Sequence, residues 1–496
     1  MSGLSEREIC GIPLVHLLTI AVFFLLTRVP FLSYLPFVQD EALYAIMTVE
    51  QQDNPTPVPT FLGYPVSWKM APFFWANSFL SGLVPFIGLE ARYRLLSFLC
   101  GFVVPLLLYL AIRRLSSGNA ALLSCLLYLS TFISIYPDDA ILFDTPGMLF
   151  VVASIFFYAS DSLGSRRFIL AGLCASLAFL FKLVVAFLPG LLFLLFFLLT
   201  RRNQLSDPIF ILSLLMPLAP AVINYSLLSP FGGGEELYLS DIPSHIFGKW
   251  VSGTERFLSS ANTLLYSAAP VFLASLYGLL RRHKDHPFMA LWYAFIIFPL
   301  LSATDIPWHY LPALPAVSFF AVAGLSDRQW NVSRTGIVVI IAIIAVSLLM
   351  SSNIYKAYSA AFLPQRDAGL YLAGKENVLI IGEYRMGTVA YKILAEKETG
   401  RIYDFGLIIG PPGFGPAAAK LVRDYRTDEV TVVDGSFSRM FTSSGIFRKN
   451  TSLESFRYVA VTGNIGLEPS APVEALKFGD ITVYDFGNIS DSGKTS

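Results

Sequence analysis

Apolar residues in this chain gather into long runs instead of alternating with polar ones. Examples are "VPLLLYLAI" (104–112), "LAFLFKLVVAFLPGLLFLLFFLL" (177–199) and "GIVVIIAIIAVSLLM" (336–350). Such runs predict helices that cross a hydrocarbon core of about 30 Å, which takes about 20 residues per helix. They fall at roughly 13–35, 95–112, 119–136, 145–160, 168–181, 183–200, 209–228, 262–280, 287–303, 310–325 and 335–353. The fold class expected is therefore a polytopic all-α membrane bundle of about eleven helices. An odd number sets the two termini on opposite sides. No small-residue cleavage pattern follows the first run, which is read as a retained helix.

After residue 356 the pattern changes. "NVLIIGEY" (377–384), "EVTVVDG" (429–435), "FRYVAVTG" (456–463) and "ITVYDFG" (481–487) read as strands, while "GTVAYKILAEK" (387–397) and "PAAAKLVRDY" (416–425) read as helices. This alternation predicts a small C-terminal α/β domain. The expected organisation is a transmembrane domain over 1–356, with a first outer loop over 36–94, and an extracytoplasmic domain over 357–496. "GPPGFG" (410–415) has the outline of a nucleotide-binding glycine loop. Two prolines stand where backbone donors are needed and no acidic ribose partner is evident, so it is read as a surface turn.

Composition agrees with the pattern. The 496 residues are 55% hydrophobic and only 14% charged, against about 25% charged in soluble domains. Formal net charge is zero, and nothing points to nucleic acid. Cys10, Cys100, Cys125 and Cys174 lie apart from one another without zinc-ligand spacing, so neither a disulfide framework nor a structural metal is expected.

The basic residues orient the bundle. Arg113–Arg114, Arg166–Arg167, Arg201–Arg202, Arg281–Arg282–Lys284 and Arg328 with Arg334 all fall on one side of the predicted bundle, which the positive-inside rule makes cytoplasmic. The N-terminus is then cytoplasmic. The first loop, residues 136–144, residues 229–261 and the C-terminal domain face outward.

The outward side carries the candidate chemistry. Asp40 and Glu41 follow the first span in "QDEALYAI". They read either as a solvated start of an interfacial amphipathic helix, where the dipole favours acids, or as a general base near its acceptor. Asp138, Asp139 and Asp144 form a second acidic group. Asp144 in "LFDTPGMLF" is a plain cap or a functional acid. Lys69, Arg94 and Lys182 are cations where topology disfavours them, either snorkelling to headgroups or neutralising a phosphate. His309, Tyr310 and His245 are the remaining outward candidates, and no metal-binding histidine spacing accompanies them.

These residues, in this order, resemble the GT-C superfamily of polyprenyl-phosphate-sugar glycosyltransferases, and most closely its protein O-mannosyltransferase and lipid A aminoarabinose transferase branch. The likeness runs through about the first 330 residues: "QDEALYAI", "LGYPVSWKMAPFFW", "ARYRLLSFLCG", "ILFDTPGMLF", "LAGLCASLAFLFKLVVAFLPG" and "WHYLPALPAVSFFAVAGL". The resemblance implies that Asp40 is the catalytic carboxylate, accompanied by Glu41, and that Asp144 is the second outer acid. It implies that Lys69, Arg94 and Lys182 meet the lipid phosphate, and that Tyr310 lines the substrate pocket, where His309 and His245 are also candidates. The chain departs from the aminoarabinose transferases at Leu43 and Asp139, where they carry basic residues, and at Trp68, where they carry a carboxylate. The last departure argues against a metal there. Arg256 or Lys249 are candidates to make up the missing positive charge.

The reaction so implied is sugar transfer from a dolichyl- or undecaprenyl-phosphate donor to an extracytoplasmic protein, lipid or glycan acceptor. Asp40 acts as base and the anomeric centre inverts. The scheme requires no cofactor; a divalent metal is possible but not indicated. Its partners are the lipid-linked donor, the acceptor and membrane lipids. A transporter or flippase of lipid-linked sugar is the competing class, and it calls for midplane polar residues in repeated halves, which this sequence does not display. Sequons stand at Asn450 and Asn488.

Overall fold

The computed structural model describes residues 8–61, 64–65, 71–220, 222–223, 254–303, 306–375, 378–383, 387–398, 405–410, 458–462 and 474–485. Lys69, Trp68, His245, Lys249, residues 411–415, the stretches 416–425 and 429–435, Asn450, Asn488 and the side chain of Arg256 lie outside the described residues.

In chain order the elements begin with β1 (Glu8–Ile9), β2 (Ile12–Pro13), α1 (Leu14–Leu32), α2 (Gln39–Asp53), β3 (Thr60–Phe61) and β4 (Tyr64–Pro65). Next come α3 (Ala71–Leu83), α4 (Leu89–Arg113), α5 (Gly118–Leu129), α6 (Phe132–Asp138), α7 (Asp144–Tyr158), α8 (Arg166–Phe181), α9 (Leu188–Thr200) and α10 (Pro208–Leu215). The remainder are α11 (Thr254–Arg282), α12 (Pro287–Ala303), α13 (Leu314–Leu325), α14 (Arg334–Leu372), β5 (Val378–Glu383), α15 (Gly387–Glu398), β6 (Phe405–Gly410), β7 (Tyr458–Thr462), β8 (Glu474–Phe478) and β9 (Ile481–Asp485). Two compact units divide them. One holds residues 1–33 and 70–356; the other joins residues 34–69 to 357–496.

The first unit is the helical bundle. Among the described residues five helices are long and apolar enough to cross a membrane: Leu14–Leu32, Leu89–Arg113, Phe257–Arg282, Pro307–Leu325 and Arg334–Leu372. α5 and α6, bent by 70° at a short break, make a sixth if they count as one span. The other spans anticipated from hydropathy hold shorter helices, several of which carry a proline in their first turn: Pro189, Pro208 and Pro287. Proline suits a first turn because the missing N–H is an orphan there. Inside a helix it removes a hydrogen bond and bends the axis, as at Pro270 of α11, where Ala268 is already non-helical.

α13 lies at the centre of this unit, with its residues from Leu314 to Gly324 all buried. A helix apolar on every face belongs in the middle of a bundle. α11 comes so close to it that a Cβ on Gly278 would stand 1.8 Å from the Phe320 carbonyl oxygen and 2.7 Å from its carbon. Only glycine permits that approach.

The second unit contains a five-stranded sheet in the order β6-β5-β7-β9-β8. β5 pairs in parallel with β6 and β7, and β9 runs antiparallel to β7 and β8. Val378 and Ile380 of β5, Tyr458 and Ala460 of β7, and Ile481 and Val483 of β9 are buried, at the spacing of two that sets side chains on one face of a strand. α2 packs on α15 within this unit.

Gly278→Ala is expected to destabilise the folded protein by about 1–3 kcal/mol, the cost of overpacking. Gly82, near the end of α3, has open space around its missing Cβ, and Gly82→Ala is expected to be neutral or slightly stabilising. Thermal midpoints of the two purified variants in detergent check the pair.

Candidate active site

A buried arginine organises the acidic segment around residues 138–144 of the bundle. Arg28 of α1 has no exposed surface, and all five of its N–H donors are used. Nε and Nη2 donate to Asp138 Oδ2 at 3.1 and 3.0 Å, and Nη2 also donates to Ser134 Oγ at 3.0 Å. Nη1 donates to Thr27 Oγ1 at 2.7 Å and to the Leu129 carbonyl at 2.6 Å. Leu129 ends α5, so the guanidinium satisfies a carbonyl that the helix break leaves without a helical partner. Ser134 Oγ donates to the Tyr128 carbonyl at 2.6 Å and serves the same break. Asp138 Oδ1 accepts from Thr145 Oγ1 at 3.0 Å. A Cβ on Gly101 of α4 would lie 2.5 Å from Asp138 Cγ, so α4 crosses directly over this carboxylate.

Asp139 is fully buried and accepts from the Tyr355 hydroxyl at 3.4 Å through Oδ2. Among the described residues no group donates to its Oδ1. Asp144 stands in the first turn of α7, where the helix dipole favours a carboxylate. It is ion-paired with Lys182, the residue that ends α8. The Asp144 side chain is 9% exposed and that of Lys182 25%. A Cβ on Gly147, one turn along α7, would meet Lys182 Cβ at 3.1 Å. The glycine therefore lets the lysine stem lie against α7.

The acidic pair Asp40–Glu41 sits in the first turn of α2 in the other unit. Its two members differ sharply. Glu41 is fully buried and accepts from the Val38 backbone N–H at 3.1 Å through Oε2. That is the returning half of a capping box; Val38, at the N-cap, has no side-chain oxygen to supply the other half. Asp40 is exposed, and it is the one exposed residue between 40 and 49. The helix is thus buried on nearly every side, unlike the interfacial amphipathic helix that the sequence allowed.

The remaining candidates are placed as follows. Arg94 of α4 is fully buried and donates to the Leu32 carbonyl at 2.8 Å, at the end of α1. Tyr310 is buried and its hydroxyl donates to the carbonyls of Ser260 at 3.3 Å and Leu300 at 3.2 Å. His309 is half-buried beside it, and Leu43 is buried in α2. In the bundle the structure therefore joins Asp144 to Lys182. It also shows Arg28, which the sequence reading missed. The available signal was an arginine inside an apolar span, a residue expensive there unless paired.

The family described as dolichyl-phosphate-mannose-protein mannosyltransferase matches residues 73–225, the segment that holds Arg94, Asp138, Asp144 and Lys182. No curated protein matches the sequence significantly. Among solved structures, ArnT from Cupriavidus metallidurans bound to undecaprenyl phosphate is 14% identical. The match covers 96% of this chain and 98% of that one, with a TM-score of 0.61. Apo ArnT from the same organism is 16% identical over 96% and 97%, with a TM-score of 0.59. The Archaeoglobus fulgidus oligosaccharyltransferase in its apo form is 11% identical over 90% of this chain and 69% of that one, with a TM-score of 0.52.

Glu41→Ala is expected to lower stability by about 1 kcal/mol through loss of the cap, whereas Asp40→Asn leaves the melting midpoint unchanged. Arg28→Met, which strands a buried carboxylate, is expected to cost about 3–5 kcal/mol. Pairing it with Asp138→Leu is expected to recover only part of that loss, because the Leu129 carbonyl still lacks its donor. Thermal unfolding of the four variants in one detergent reads all of these. The chain is thus similar to ArnT in fold over nearly its whole length, and its residues 73–225 match the dolichyl-phosphate-mannose-protein mannosyltransferase family.

Proposed function

We propose that this multi-pass membrane protein is a glycosyltransferase. It moves a sugar from a polyprenyl-phosphate donor to a hydroxyl-bearing protein, lipid or glycan acceptor on the extracytoplasmic face. The observation that carries this reading is the family match over residues 73–225, which falls on the segment containing the Asp144–Lys182 pair. The fold likeness to ArnT bound to undecaprenyl phosphate supports a lipid phosphate as leaving group.

In this reading Asp40, exposed at the start of α2, takes the proton of the acceptor hydroxyl as its oxygen attacks the anomeric carbon. The bond from that carbon to the phosphate oxygen breaks, polyprenyl phosphate departs, and the configuration inverts. General-base catalysis of this kind contributes about 10²–10⁴-fold. Lys182 and Lys69 stabilise the phosphate as charge develops on it. Lys182 is the better-supported contact in the bundle, because its side chain is a quarter exposed while Arg94 is fully buried. Arg94 instead holds the end of α1 through Leu32. The reading assigns the phosphate to lysine side chains and requires no metal.

Transfer from a radiolabelled polyprenyl-phosphate hexose by purified protein in proteoliposomes tests this. Asp40→Asn is expected to lose at least about 100-fold in rate while still binding donor. Lys182→Met removes a charge-assisted contact of about 1.5–3 kcal/mol, and is expected to raise the donor KM by about 10–100-fold. EDTA is expected to leave the wild-type rate unchanged. Equal transfer by wild type and Asp40→Asn overturns the assignment of the base. Absence of transfer by wild type with both dolichyl and undecaprenyl donors overturns the enzymatic reading in favour of transport.

A further inference from the structure

The approach to Asp40 is fixed from the C-terminal part of the chain. Phe37, three residues before Asp40, is fully buried, and its ring stacks on Tyr391 of α15 at 5.0 Å between centroids and 24° between planes. The Tyr391 hydroxyl also accepts the Phe37 backbone N–H at 3.0 Å. The next N–H, that of Val38, goes to Glu41. Two consecutive backbone donors ahead of the helix are therefore committed, one to α15 and one to the α2 cap. At the other end of α2, Lys397 of α15 donates to the Val49 carbonyl at 3.2 Å and to Asp53 Oδ1 at 2.7 Å. α15 thus holds α2 at both ends and leaves Asp40 exposed between them.

α15 is itself held closely. A Cβ on Gly369 would lie 2.5 Å from the Thr388 carbonyl oxygen and 2.7 Å from Tyr391 Cβ. Gln365 Oε1 accepts the Gly387 N–H at 3.2 Å. The buried pair Lys392–Glu396 ties α15 to the turn after α14, through the Lys375 carbonyl and the Gly374 N–H. Tyr391 is therefore a fixed post, and its hydroxyl is one more group than packing alone would need.

We propose that Tyr391 is a positioning residue for the catalytic carboxylate, setting through Phe37 the direction in which α2 presents Asp40. This inference rests on the reading of Asp40 as the base. It assigns the C-terminal unit a part in turnover that its distance in sequence conceals. Small displacements of a reacting group can cost about 100-fold in rate, and the Phe37 amide, already bonded to Tyr391, is expected to contribute to positioning and not to substrate affinity.

The experiment uses the full-length protein and compares wild type, Asp40→Asn, Tyr391→Phe, which keeps the stack and loses the hydrogen bond, and Tyr391→Ala. It reads kcat and both KM values per folded molecule, melting midpoint, and hydrogen exchange at residues 37–44. With Asp40→Asn inactive, Tyr391→Phe is expected to lower kcat about fivefold and Tyr391→Ala about 100-fold. KM values are expected to hold and exchange at residues 37–44 to rise. Asp40→Asn inactive with both Tyr391 variants turning over like wild type overturns the positioning role and leaves the base assignment standing. Activity that falls only in proportion to folded protein overturns the positioning role in the same way. Asp40→Asn as active as wild type removes the base assignment and this inference together.

Discussion

The five hydrogen bonds of Arg28 are the constraint on which the bundle's acidic segment depends. A span broken at residues 130–131 would leave carbonyl groups of α5 facing a medium with no water to receive them, at several kcal/mol each. Arg28 and Ser134 take the carbonyls of Leu129 and Tyr128. The charge that the arginine brings is balanced by Asp138, whose second oxygen goes to Thr145. Since Thr145 directly follows Asp144 in the chain, the same network that makes the break tolerable fixes where α7 begins. Asp144 emerges there and meets Lys182. Removing the arginine would uncap the break and strand a carboxylate at once, so the pieces are stable only together.

The adjacent carboxylates of α2 show how neighbouring positions on one helix divide labour. Successive helical residues point about 100° apart, so the burial that surrounds Glu41 need not reach Asp40. Glu41 accepts a backbone N–H and is consumed by structure. Asp40 stays exposed, which in the proposed reading lets it receive a proton from an incoming acceptor. A helix that was amphipathic in the ordinary sense would expose a whole stripe; here exposure among residues 40–49 is confined to Asp40.

Long apolar runs were readable because membrane helices carry their signal in composition. Each anticipated span over the described residues contains helix. The break between α5 and α6 was not readable: "YLSTFISIY" continues the apolar run, and what satisfies the carbonyl freed there is an arginine 101 positions earlier. β5, β7 and β9 lie inside stretches with strand-like alternation. β6 ("FGLIIG") and β8 ("EALKF") were missed because the first is flanked by glycines and the second is exposed along most of its length. The resemblance to the GT-C transferases drew attention to Asp144 and Lys182 separately. That they form one ion pair across α7 and α8 is a tertiary fact. The stack of Phe37 on Tyr391 joins residues 354 positions apart, which no local pattern encodes.

In the proposed reading, the Asp144–Lys182 pair also explains how a cation can be held ready for a phosphate among apolar helices. A lone ammonium at that depth is costly, and a neutral amine would be useless for binding an anion. The carboxylate orients the lysine head group while the pair as a whole is neutral. An ammonium carries three donors, and the link to Asp144 engages one of them, so a phosphate can be taken without releasing the acid. In the proposed reading the incoming phosphate then adds a second anion to one cation. The excess negative charge falls again when polyprenyl phosphate departs, so the local electrostatics that tolerate Lys182 in the empty protein also favour release of the product lipid.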